Sequence, residues 1–124
     1  MTAKFWLSYG DDGILRVRIC EFAEIEAEDA VLYVENFARV AGSGPSLVLV
    51  DATASHTITR EAQEYIAKHL PPRIATAVVT TNAISMMFTN LYVSLFKPAN
   101  PVRIFKTEED AVEWLRKMKE EYTG

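Results

Sequence analysis

A single cysteine in 124 residues leaves Cys20 with no intramolecular disulfide partner and excludes a thiolate metal cage. Its place in an apolar strand pattern makes it a packing residue. Only two histidines occur, His56 and His69, and neither belongs to an HExxH pattern or to a carboxylate-rich loop, so no transition-metal site is expected. The five glycines form neither GxGxxG nor a phosphate-binding loop, and no serine sits in Gly-x-Ser-x-Gly, so no nucleotide or other cofactor is expected. Basic residues are in the minority, 13 Lys and Arg against 17 Asp and Glu for a net charge of -4, whereas a nucleic-acid binder needs a dense basic face. No run approaches the roughly 20 apolar residues of a membrane span, and Met1-Thr2-Ala3-Lys4-Phe5-Trp6 contains no apolar leader core. These absences lead to the expectation of a cytoplasmic protein that binds neither membrane nor nucleic acid.

What is present is a core-forming composition, 49% hydrophobic, at a length that suits one domain spanning residues 1–124. Lys4 to Tyr9 and Ile14 to Cys20 read as strands joined by the hairpin turn Gly10-Asp11-Asp12-Gly13. Ala27, Ala30, Val31, Val34, Phe37, Ala38 and Ala41 recur at helical spacing after an acidic first turn, and Gly42-Ser43-Gly44-Pro45 stops that helix. Leu47 to Val50 is apolar on both faces, the pattern of a central parallel strand. A helix from about Thr59 to Leu70, a strand from Ile74 to Thr80, a helix from Ile84 to Phe96 and a strand from Val102 to Phe105 follow. Thr107-Glu108-Glu109-Asp110 opens a last helix that buries Ala111, Trp114, Leu115 and Met118. The order ββαβαβαβα predicts an α/β fold with a five-stranded, mixed, mostly parallel sheet and four helices.

This order, with Leu47-Val48-Leu49-Val50-Asp51, the helix start Ile58-Thr59-Arg60-Glu61-Ala62, and the ending Asn100-Pro101-Val102-Arg103-Ile104-Phe105 then Asp110-Ala111-Val112-Glu113-Trp114-Leu115, resembles the small bacterial SpoIIAA-like proteins of the STAS superfamily. The resemblance covers nearly the whole chain and implies a non-enzymatic regulatory or protein-interaction module with a regulatory protein partner. In such relatives a serine of an Asp-Ser-Ser-Gly segment before the second helix is phosphorylated. Here the segment reads Ser55-His56-Thr57-Ile58-Thr59-Arg60-Glu61, which leaves Thr57 or Thr59 as the phosphate acceptors at that place.

Asp51 ends a buried strand beside a helix start, the edge where ligands and partners dock in open α/β sheets. The candidate ligand or partner loop is therefore Asp51, Ser55, His56, Thr57, Thr59 and Arg60. Asp51, Ser55 and His56 carry the groups of a hydrolase triad, but sequence neighbours rarely reach the required geometry, and Thr59 is more simply a helix N-cap. The alternative reading is a small-molecule-binding domain or modest enzyme with Asp51 as acid or base and a pocket between this loop and Thr81-Asn82-Ala83. A chain this short is not expected to enclose an apolar lipid as well as a core. In the third helix, Ile84, Met87, Phe88, Leu91 and Leu95 form a stripe expected to face the sheet, with no charge from Ile84 to Phe96. Met86, Thr89, Asn90 and Val93 are then the candidate interface of a homo-oligomer, most simply a dimer.

Overall fold

The structure is a computed structural model describing residues 4–42 and 44–123. Met1, Thr2, Ala3, Ser43 and Gly124 lie outside the described residues, and with them the expectation about the N-terminal segment and part of the Gly42–Pro45 helix stop.

Strands β1 (Phe5–Tyr9) and β2 (Ile14–Ile19) form the expected antiparallel hairpin. Its turn depends on Gly13 at φ 79, a left-handed conformation that side chains disfavour. Asp12 closes it by accepting the Ile14 N–H at 3.2 Å and both Arg16 nitrogens at 3.0 and 2.9 Å. The Arg16 guanidinium holds the Asp12 carboxyl down at about 2. Helix α1 (Ala27–Ala41) is anchored at its start by Asp29, whose carboxylate accepts the Glu26 N–H at 2.9 Å and pairs with Lys4 at 2.8 Å. Burial works against the charged form of Asp29, yet these partners outweigh it and lower its carboxyl below the ordinary range.

Strand β4 (Ser46–Asp51) pairs in parallel with β2 and with β6 (Arg73–Val79), and β6 pairs in parallel with β7 (Val102–Phe105). The sheet order β1-β2-β4-β6-β7 advances in one direction from β2 onward. Right-handed crossovers therefore place α1, α2 (Arg60–His69) and α3 (Ala83–Phe96) on the same face. Helix α4 (Glu108–Thr123) follows the last strand and covers the other face. This is the five-stranded mixed sheet with four helices that the alternation implies.

The two faces are filled differently. Against α4, the sheet presents Ile14, Leu47, Leu49, Ala75, Ala77 and Val79, and Ala111 and Leu115 of the helix are wholly inaccessible at 0% exposure. Small alanines in β6 let α4 approach the sheet closely. The opposite face offers Leu15, Val17 and Val48 to Tyr33, Val34 and Phe37 of α1, and Val78 to Ala62 of α2.

Two features depart from the sequence reading. A second, two-stranded parallel sheet joins β3 (Ala23–Ile25) to β5 (His56–Ile58). The segment expected as a polar loop thus ends in a strand, and His56 is buried. The second departure is the rotation of α3. Its inward side carries Ser85, Phe88, Thr89 and Tyr92, while Ile84, Met87, Leu91 and Leu95 are 42–50% exposed. Of the stripe expected to face the sheet, only Phe88 lies inward, and the other four residues face outward. Polar anchors decide this: the buried Ser85 Oγ donates to the Ala52 carbonyl at 2.8 Å, and Gln63 Nε2 donates to the Phe88 carbonyl at 3.2 Å. A helix apolar on all sides gains similar hydrophobic energy in several rotations, so buried hydrogen bonds choose among them.

Candidate functional site

The loop after β4 is tied down by its own hydrogen bonds. Asp51 Oδ1 accepts from the Thr53 N–H at 3.1 Å and from its hydroxyl at 2.7 Å, an Asx-type turn. Asn82 caps α3 through Oδ1, accepting from Ile84 and Ser85 N–H at 2.9 and 3.4 Å, and its Nδ2 donates to Ser55 Oγ at 3.4 Å. His56 Nδ1 lies 3.1 Å from the Ala54 carbonyl, with its ring centroid 6.2 Å from that of Phe88. Asp51, Ser55 and His56 are therefore bonded to other groups, and among the described residues no hydrogen bond joins the serine to a base. Proton relay needs that contact.

The remaining loop residues have structural positions of their own. Thr57 is exposed in β5, opposite Glu24. Thr59 is the N-cap of α2, its hydroxyl accepting the Ala62 N–H at 3.1 Å. Arg60 is exposed at the first position of that helix. Phe22, which no sequence signal marked, donates its N–H to the Ser55 carbonyl at 2.6 Å and is 76% exposed at φ 59. Non-glycine residues seldom hold that conformation. The bonding fixes the course of the chain beside the loop.

On α3, the candidate interface residues fall on different sides. Asn90 and Val93 are exposed and Met86 is half-buried, whereas Thr89 points inward, its hydroxyl donating to the Ser85 carbonyl at 2.9 Å. The side with most exposed apolar surface is the row Ile84, Met87, Leu91 and Leu95.

Between the sheet and helices α1 to α3 lies a cavity of about 150 Å³. Val48, Val50 and Val78 form its floor, and Ile66 and Phe88 lie on the helix side. Helix α3 contributes Phe88, Thr89 and Tyr92 to its lining. Of Asp51, His56 and Asn82, the groups expected to frame a pocket, only His56 lines it. The space is too small for a long-chain lipid and suits a molecule about the size of benzene. Its polar lining includes Arg73, Tyr33 and Tyr92. Burial raises both phenols above their ordinary range, with the Arg73 guanidinium acting in the opposite sense on each. Among the described residues no cluster of three His, Cys, Asp or Glu side chains is placed to hold a metal ion, and no helix is long and apolar enough to cross a membrane.

Comparison with solved structures identifies the architecture. An uncharacterized protein of the DUF3478 family with a SpoIIAA-like fold, from Shewanella loihica PV-4, superposes with a TM-score of 0.64 at 18% identity, covering 90% of this chain and 91% of that one. A protein of unknown function from Arthrobacter sp. FB24 is 25% identical over 90% of this chain and 98% of that one, with a TM-score of 0.35. No curated protein matches the sequence. The fold is thus SpoIIAA-like, as the order of elements implies, and the match of residues 5–119 to its family model shows that the chain belongs to DUF7793, a domain of unknown function.

Proposed function

We propose that this protein is a non-enzymatic interaction module of the STAS type that pairs with a second copy of itself through the outer side of α3. The observation that carries this reading is the row Ile84, Met87, Leu91 and Leu95, each 42–50% exposed. No charged residue occurs in α3. Large apolar side chains gathered on one exposed strip mark contact surfaces, and interface cores are depleted of charge. A second copy is the fitting occupant because the chain carries a net charge of -4, and a charge-free helix is where two like-charged molecules approach with least repulsion. A two-fold axis across the row would set each helix against its counterpart.

Sedimentation velocity tests the pairing. Wild-type protein is expected to sediment as a dimer at micromolar concentration, and Leu91→Glu or Met87→Glu as a folded monomer, because each charge would otherwise be desolvated in the contact. A monomeric wild type, or a dimer that tolerates both substitutions, would contradict it.

Regulation by phosphate fits Thr59 better than Thr57. A phosphoryl group on Thr59 would place about -1.5 to -2 charges at the N-terminus of α2, where the helix dipole favours them. The same group on Thr57 would stand opposite Glu24. Phosphopeptide mapping of protein from its native host is expected to find Thr59 modified and Thr57 not, and an unmodified Thr59 would remove this input.

A further inference from the structure

From the polar end of the cavity we infer that this protein binds a small apolar monocarboxylate, a short fatty acid or an aromatic acid, with the hydrocarbon in the cavity beneath α3 and the carboxylate on Arg73. The site is separate from the outer side of α3 and does not depend on self-association. Three observations carry it.

The first is Arg73 itself. It stands at the start of β6, half-buried, and lines a cavity whose walls are mostly aliphatic and aromatic. One of its nitrogens donates to the Pro71 carbonyl at 2.8 Å. No carboxylate among the described residues pairs with it. A guanidinium has five N–H donors in a planar fork that matches a carboxylate, so most of this fork is available. Cations at the edge of apolar space ordinarily have a counter-ion, and here the protein supplies none.

The second is Tyr33. The residue is 6% exposed, and its ring packs against Phe5 at 4.5 Å and Phe37 at 5.9 Å. Its hydroxyl has no hydrogen-bond partner among the described residues. Yet no buried side-chain nitrogen or oxygen among them is sealed off without a partner. The hydroxyl must therefore open onto accessible space, and the space that Tyr33 lines is the cavity. Burial keeps this phenol protonated, so it meets a ligand as an O–H donor. Tyr92 adds a second protonated phenol on the same cavity.

The third is size. About 150 Å³ suits a hydrocarbon body of roughly six to eight carbons, by comparison with cavities that hold benzene. An apolar wall with a few convergent donors is the usual design of a small-molecule site. At the Arg73 end a guanidinium stands with two phenols that can donate, and the cation selects an anionic acceptor over an amine or an alcohol.

Amide-resolved NMR titration of the full chain with sodium hexanoate, 1-hexanol and hexylammonium chloride tests this. Hexanoate should shift the resonances of Val78, Phe88 and Tyr92 saturably and bind at least tenfold more tightly than hexanol, with hexylammonium weakest. Arg73→Met should cost hexanoate at least tenfold and leave hexanol unchanged. Tyr33→Phe, which keeps the packing, should weaken hexanoate alone by a smaller factor. Val102→Phe, placed on an edge strand to fill the cavity, should abolish both ligands while the amide spectrum stays dispersed. If that variant unfolds, Arg73→Met still decides. Equal binding of hexanoate and hexanol, unchanged hexanoate affinity in Arg73→Met, shifts confined to the outer side of α3, or no saturable shift with any of the three would each overturn the inference.

Discussion

The two faces of the central sheet are built from the same strands and differ in how they are closed. On one, a single amphipathic helix, α4, seals a continuous apolar layer, with Ala75, Ala77, Ala111 and Leu115 all at 0% exposure. On the other, three helices share the cover, and the third is held by Ser85 and Gln63 hydrogen bonds over a cavity of about 150 Å³. The contrast separates stability from recognition. A face closed by dense packing commits its apolar side chains to the core, whereas a helix seated by polar anchors keeps apolar surface on its outside and space beneath it.

Truncation on the sealed face should have the largest effect. Leu115→Ala removes a wholly inaccessible side chain and is expected to cost about 3 kcal/mol in urea unfolding, while Leu91→Ala on the outer side of α3 should change monomer stability by less than about 0.5 kcal/mol. Equal losses would erase the contrast. Next comes the anchor of α3: Ser85→Ala leaves the buried Ala52 carbonyl without its donor and should cost about 1–3 kcal/mol. If α3 is held as described, the loss should be accompanied by faster amide exchange in α3 alone. Thr59→Ala should cost about 1 kcal/mol through the lost α2 cap, and Thr59→Ser should recover most of it.

The smallest effect is expected at the hairpin. The folded carboxyl of Asp12, held at about 2 by Arg16, lies below its unfolded value of about 4. Its contribution is therefore complete above that unfolded value and is lost as pH falls toward 2. Because the pair is partly exposed, less than about 1 kcal/mol is at stake. Comparing Asp12→Asn with wild type by urea unfolding at pH 7 and pH 2.5 should show a difference that shrinks at the lower pH. A difference independent of pH would show that the ion pair adds nothing.

The sealed face was the more legible in sequence. Ala111, Trp114, Leu115 and Met118 recur at helical spacing after a capped start, and Leu47 to Val50 reads as a strand buried on both sides, so periodicity alone identifies the contact. The other face was legible in its elements but not in its details. Ala23–Ile25 and His56–Ile58 are three residues each, too short for alternation to stand out, so the small second sheet went unseen. In α3 apolar residues occur on every side, and periodicity assigns Ile84, Met87, Phe88, Leu91 and Leu95 to the sheet, of which only Phe88 lies inward. The deciding features were the Ser85 hydroxyl, whose partner Ala52 lies 33 positions earlier, and the Phe88 carbonyl, whose donor Gln63 lies 25 positions earlier. Asp51, Ser55 and His56 suggested chemistry by their proximity in sequence, yet each is engaged elsewhere. Arg73 gave no signal at all, since a lone arginine before a strand becomes notable only when Tyr33 and Tyr92 are brought to the same cavity.

Native-state hydrogen exchange at a concentration low enough to keep the protein monomeric tests the contrast most directly. Amides of α4 should exchange only through global unfolding, with protection that falls steeply as urea is added. Amides of α3 should exchange through a smaller opening, with lower protection and little dependence on urea. Equal protection and equal urea dependence in α3 and α4 would contradict the account, because the helix over the cavity would then be as firmly seated as the helix on the sealed face.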